Sequence, residues 1–141
     1  MNAISHLVRI SDSPAAVFGA LTNDQSIEKW FTESACDEWQ TGETVTWFGD
    51  TVMTISEMTL DHSITFQVKE GSGWEGTYIR FELEPFEERT LVRFDQTGWQ
   101  EITDHFRDCS MSWAYFLESL KLFVETGTGT PESHSPPCES T

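Results

Sequence analysis

The sequence predicts an α+β domain: a curved antiparallel sheet of about six or seven strands wrapped around one long C-terminal helix, with two short helices after the first strand. Three observations carry this. Ser13-Pro14 opens a short apolar segment in the manner of an N-cap followed by a first-turn proline. Between residues 34 and 97 apolar side chains recur mainly at every second position, the period of a half-buried strand. From residue 104 to 126 they recur at three- and four-residue steps, the period of an amphipathic helix.

The elements follow in order. Ile4 to Ile10 forms a first strand through Ile4, Leu7, Val8 and Ile10. The first helix turns Val17, Phe18 and Leu21 inward, and Asn23 or Asp24 caps a second through Ile27, Trp30 and Phe31. Both are too short to stand alone and must pack on the sheet. Thr41-Gly42-Glu43 is a turn before Val45 and Trp47, and Gly49-Asp50 turns into a strand over 51–60. Ile64, Phe66 and Val68 alternate with polar residues, and 70–73 is a loop. Ile79, Phe81 and Leu83 then share one face, as do Val92, Phe94 and Gln96 beyond a turn at 85–88. Gln96 is the polar member of an apolar row. The last helix runs from near Asp104 with a stripe of Phe106, Cys109, Trp113, Phe116, Leu120 and Phe123. Gly127 is placed to end it in a left-handed conformation. Residues 1–126 therefore read as a single domain, and 127–141, rich in Gly, Thr, Ser, Pro and Glu, as a flexible tail.

The 141 residues suffice for one core without a metal or disulfide staple. Acidic residues outnumber basic ones 24 to 8, a net charge of −16. That field repels phosphate backbones and anionic bilayers, so no nucleic-acid or membrane partner is expected. Cys36, Cys109 and Cys138 are odd in number and far apart, which argues against a disulfide framework. With no secretory leader pattern at Met1, the expectation is a cytoplasmic protein, monomeric or homodimeric. Ten Phe, six Trp and two Tyr supply an aromatic interior.

Particular segments point to a family. Residues 13–22 follow a small-Pro-Ala-x-Val-Phe-x-Ala-Leu-Thr pattern, and residues 27–31 form an aromatic-rich second helix. Thr90-Leu91-Val92 matches a Thr-x-Leu-like strand. Trp113, a Leu-x-x-Leu-Lys run at 117–121, Gly127 and Pro131 complete the set. Over roughly residues 3–131 the chain resembles the START-like (SRPBCC) superfamily, in the branch named after the C-terminal domain of the activator of the Hsp90 ATPase. The resemblance implies a helix-grip fold with an internal cavity. Members include ligand carriers, aromatic cyclases, self-sacrificing resistance proteins and co-chaperone domains, so fold alone does not choose among functions.

Chemistry-bearing residues are few. His105 and Cys109 lie four apart on one helical face, a spacing open to two metal ligands or to a thiol with a base. No further ligand is suggested, and packing on the Trp113 stripe accounts for Cys109. No catalytic residue, metal or cofactor is assigned. Most acids fall on solvated strand faces or turns, and neither Gly-rich stretch has the geometry of a phosphate cradle. What remains is a cavity between sheet and helix. Trp47, Phe66, Phe81, Phe94 and Gln96 are expected to face Trp113, Phe116 and Leu120 across it, with Trp30 closing one end and Gln96 orienting a ligand. The expected function is binding of a small hydrophobic or aromatic molecule. Burying ~300 Å² of apolar ligand surface offers on the order of 7 kcal/mol before ordering costs. Two alternatives stand beside it. One is a cyclase or hydrolase acting on a polyketide-like substrate in the same cavity, and the other a chaperone-associated interaction domain.

Overall fold

The structure is a computed structural model that describes residues 2–131. β1 (Asn2–Ile10) leads into α1 (Pro14–Leu21) and α2 (Asp24–Trp30). There follow β2 (Ser34–Ala35), β3 (Thr44–Trp47), β4 (Thr51–Thr59), β5 (Ser63–Glu70), β6 (Tyr78–Phe86), β7 (Arg89–Trp99) and α3 (Asp104–Thr126). The seven strands form one antiparallel sheet in the order β1-β7-β6-β5-β4-β3-β2. From β2 onward each strand pairs with the next in sequence. The exception is β1, which lies beside β7, so α1 and α2 carry the chain from one sheet edge to the other. The α+β helix-grip architecture expected from the sequence is the one found.

Local chemistry sets the helix ends. The Ser13 hydroxyl accepts the Ala16 N–H at 3.2 Å, with Pro14 at the first helical position. Asn23 caps α2 through Ser26 N at 2.9 Å, and Thr103 caps α3 through Phe106 N at 3.2 Å. Gly127 closes α3 with φ 87°. Both short helices depend on tertiary contacts. Val17, Phe18, Ala20 and Leu21 are buried from α1, and Ile27 and Trp30 from α2. The Trp30 indole donates to Ala20 O at 2.9 Å, which ties the two helices together.

The core lies between the inner sheet face and α3. Ile4, Val8 and Ile10 of β1, Ile79, Phe81 and Leu83 of β6, and Val92, Phe94 and Gln96 of β7 are all buried. Their outward neighbours carry charge instead: Arg80 pairs with Glu57 at 2.9 Å and Arg93 with Glu84 at 2.7 Å. α3 is latched to the edge strand at both ends. His6 Nε2 lies 3.0 Å from Ser110 O, and Lys121 Nζ donates to Arg9 O at 2.7 Å.

Beyond α3 the chain folds back on α2. Buried Ser119 donates to Trp30 O and accepts Thr130 N–H, each at 2.7 Å. A Cβ on Gly129 would sit 2.7 Å from Lys29 O and 3.0 Å from Trp30 Cα, so only glycine admits this approach. Cys138 and the rest of the tail past residue 131 lie outside the described residues.

Candidate functional site

The nine residues expected to line a cavity come from six elements: Trp30 from α2, Trp47 from β3, Phe66 from β5, Phe81 from β6, and Phe94 and Gln96 from β7, with Trp113, Phe116 and Leu120 from α3. Each is at most 3% exposed. Strand alternation and the helical stripe turn them toward one another. The Phe94 ring lies 4.4 Å from Trp113, Phe81 lies 6.3 Å and Trp47 lies 6.4 Å from it, and Phe66 is 5.1 Å from Trp47. These rings touch each other, so Trp113 stands at the centre of an aromatic cluster.

Two fully buried members of that cluster escaped the sequence reading of the site. Phe31, just after α2, contacts Trp30, Trp47, Phe48, Trp113 and Phe116 at 5.0–5.3 Å. Trp30 reaches the cluster through it, as a stacked neighbour at 5.2 Å. Trp74 stacks on Trp113 at 5.7 Å from the loop between β5 and β6. A large aromatic among the glycines of residues 71–76 was the available signal, but a loop has no period that tells which way a side chain turns.

A short polar chain crosses this apolar interior. Trp113 Nε1 donates to Gln96 Oε1 at 2.9 Å, and Gln96 Nε2 donates to Thr77 Oγ1 at 3.0 Å. Thr77 in turn donates to Trp74 O at 2.7 Å. Gln96 is thus satisfied by the protein itself, as a fully buried amide must be. Thr77 also borders a pocket of about 270 Å³ between the β5–β6 loop, the end of β7 and the start of α3. Gly73, Glu75, Trp99 and His105 share its wall. Gly73 lets the His105 ring in: a Cβ there would meet Nε2 at 2.7 Å, and that nitrogen lies 3.0 Å from Ser72 O.

The interior offers no acid or base. Among the described residues the buried polar side chains are hydroxyls and the Gln96 amide, apart from the indoles and Cys109. Two buried indole donors, Trp47 Nε1 and Trp99 Nε1, have no hydrogen-bond partner. His105 and Cys109 do meet, with Sγ 3.8 Å from Nε2, and Trp74 Nε1 donates to the same sulfur at 3.3 Å. Cys109 is disulfide-bonded, a departure from the expectation drawn from three widely spaced cysteines, and so offers no thiolate for nucleophilic attack or ligation. No group of three or more His, Cys, Asp or Glu side chains among the described residues is arranged to hold a metal ion. None of the described helices is long and apolar enough to cross a membrane.

Comparison with known proteins places this architecture. The chain is similar to the Aha1 dimer from Colwellia psychrerythraea, with 32% identity and a TM-score of 0.80 over 92% of this chain and 100% of that one. It shares its fold with the protein SSP2350 from Staphylococcus saprophyticus, at 18% identity and a TM-score of 0.81 over 96% and 99% of the two chains. CalU16 from Micromonospora echinospora has the same fold at 19% identity, with a TM-score of 0.78 over 91% and 76%. No curated protein matches. The family described as activator of Hsp90 ATPase homolog 1-like protein matches residues 12–125, and with the full-length likeness to the Colwellia protein this shows that the chain belongs to that family.

Proposed function

We propose that this protein binds a small, mostly apolar or aromatic molecule between the sheet and α3, without chemistry of its own. The observation that carries the reading is the pocket of about 270 Å³ whose Thr77 wall is joined by hydrogen bonds, through Gln96, to Trp113 at the heart of the aromatic cluster. The pocket wall itself is mixed, with Glu75, Glu101 and His105 beside Trp99, and the aromatic cluster behind it supplies the rigid apolar surface. Deeper occupation would part the rings of Trp47, Phe66, Phe81 and Phe94 from α3. The buried side chains of the aromatic cluster supply hydrogen bonds and apolar surface but no proton-transfer group, and the ionisable groups near it are Glu75, Glu101 and His105 of the pocket wall.

Native mass spectrometry of protein purified without added ligand, followed by release of any bound compound, tests this. The expected result is a stoichiometric neutral aromatic molecule. A ligand-free mass, together with a fragment screen that perturbs neither Thr77, Gln96 nor Trp113 by NMR, overturns the reading.

A second reading is favoured by the outer face of α3. Met111, Tyr115 and Leu122 are 74%, 53% and 44% exposed and recur at steps of four and seven residues, an apolar row on one side of the helix. Together with the family's likeness to an Hsp90 activator, this suits a surface for a chaperone partner. Added protein should then raise the Hsp90 ATPase rate, and Met111→Asp with Tyr115→Asp should abolish the increase. An unchanged rate with the unmodified chain removes this reading.

A further inference from the structure

The two sides of the sheet are finished differently. At β1 the helix α3 covers the edge, through His6 with Ser110 O and Lys121 with Arg9 O. On the far side β4 outruns β3. Their ladder ends at Thr44 and Thr54, and the last bonds join Ile55 to Gly42 and Glu43. Past a bulge after Ile55, residues Glu57 to Thr59 pair with β5 alone among the described residues. Thr59 O accepts the His62 N–H at 3.0 Å across the turn into β5. Strand alternation therefore turns the N–H and C=O of Met58 the other way, to the open edge. Such an edge is a template for one more strand.

A hollow of about 450 Å³ adjoins this edge, between Trp39, Gln40 and Thr41 of the loop before β3 and Met58 and Leu60. Trp39 gives it a firm wall, edge-on to buried Phe66 at 6.3 Å, whereas Leu60 is 78% exposed. The surroundings are acidic: between Lys29 and Lys69 the chain has seven Asp and Glu and no Lys or Arg. That field repels an anionic partner and draws in a cationic one. We propose that the open edge of β4 binds an extended peptide segment as a short antiparallel strand. One aromatic or branched apolar side chain enters the hollow, and Lys or Arg flanks it on each side. Met58 shares the inner face with its partner Ile64, so the residue opposite Met58 sends its side chain to that face and its two neighbours to the other. Main-chain bonds hold the segment, the hollow reads one side chain, and charge selects the neighbours. This surface shares no residue with the pocket at the start of α3 and is independent of what that pocket binds.

The test titrates ¹⁵N-labelled full-length protein at low salt with the end-capped peptide Ala-Lys-Phe-Lys-Ala. Three relatives accompany it: Glu for both Lys, Ala for Phe, and an N-methyl group on the Phe nitrogen. The expected result is a saturable shift of the Met58 amide and the Trp39 indole, with affinity falling as salt is added. The Glu and Ala peptides should bind at least about tenfold more weakly. N-methylation should cost about three- to tenfold, the range of one net hydrogen bond. Leu60→Ser, at an exposed position, should weaken binding several-fold with the fold unchanged. Equal binding of the Lys and Glu peptides, or of the Phe and Ala peptides, overturns the proposed recognition. Indifference to N-methylation overturns strand addition. The absence of any saturable shift at Met58 and Trp39 overturns the site itself. The peptide comparisons use the unmodified protein and stand whatever the variant does.

Discussion

Trp47 and Trp113 are the same residue type, both buried in the same cluster, yet their polar atoms have different fates. Trp113 Nε1 reaches Gln96, whereas Trp47 Nε1 has no partner. Replacing either by Phe removes a similar volume. Only Trp113→Phe also strands the Gln96 carbonyl in an apolar interior, which costs about 1–3 kcal/mol. Urea denaturation should therefore show Trp113→Phe to be less stable than Trp47→Phe by roughly that margin. Equal losses would mean that the Trp113–Gln96 bond contributes nothing net. Cys36 supplies a second residue-scale effect. Burial first, and then the Asp24 carboxylate, push its thiol from 9.0 up to about 11. The unfolded chain ionises this thiol from about pH 9, while the folded chain keeps it protonated, donating to Glu38 O at 3.1 Å. The associated stabilisation is complete below pH 9 and is lost as pH rises through about 11. Cys36→Ser should flatten the alkaline fall in stability. An identical alkaline profile would refute the assignment.

At the scale of elements, the β6–β7 hairpin shows a local conflict that its neighbours overrule. Its two-residue turn places Glu87 at φ 49° and Glu88 at φ 66°, a left-handed pair that Asn-Gly adopts readily and glutamate does not. The flanking strands fix the turn regardless, because Val92, Phe94 and Gln96 on one side and Ile79, Phe81 and Leu83 on the other must face α3. Glu87→Asn with Glu88→Gly should raise the unfolding free energy by about 1–2 kcal/mol with the fold unchanged. A loss of stability would show that the glutamates make compensating contacts. The same contrast explains which parts of the molecule were legible in the sequence. Strand alternation and the three-to-four stripe fixed which faces of β6, β7 and α3 turn inward, because each period has a single geometric reading. Phe31 and Trp74 sit where no period operates. Their place against Trp113 depends on how α2 and the β5–β6 loop close over the sheet, which is long-range information. The pocket was illegible for the same reason: its wall joins a loop, a strand end and a helix start.

At the scale of the whole molecule, 24 acidic residues against 8 basic ones leave a charge of −16 on a chain of 141 residues. The outer sheet face answers part of this. Glu57 illustrates it: partial burial pushes its carboxyl up, yet hydrogen bonds from Thr59, Ser63 and Arg80 outweigh that and hold it below 4.5. Most other acids among the described residues lack such a set of partners, so the folded state carries self-repulsion that the expanded chain relieves. Added salt should then stabilise the fold. The screening length is already about 8 Å at 0.15 M and shrinks only to ~3 Å at 1 M, so most of the gain should come early. Thermal unfolding in sodium chloride should show the midpoint rising by a few degrees between 10 mM and 0.2 M, the equivalent of roughly 1 kcal/mol, and levelling beyond. A midpoint that climbs steadily to molar salt would instead report exclusion of salt from the surface, and a flat response would mean that the acidic groups are too dispersed to repel. Either result would break the link between charge and stability. The early rise would establish that link and recommend low salt for measuring how strongly the acidic surface rejects anionic ligands.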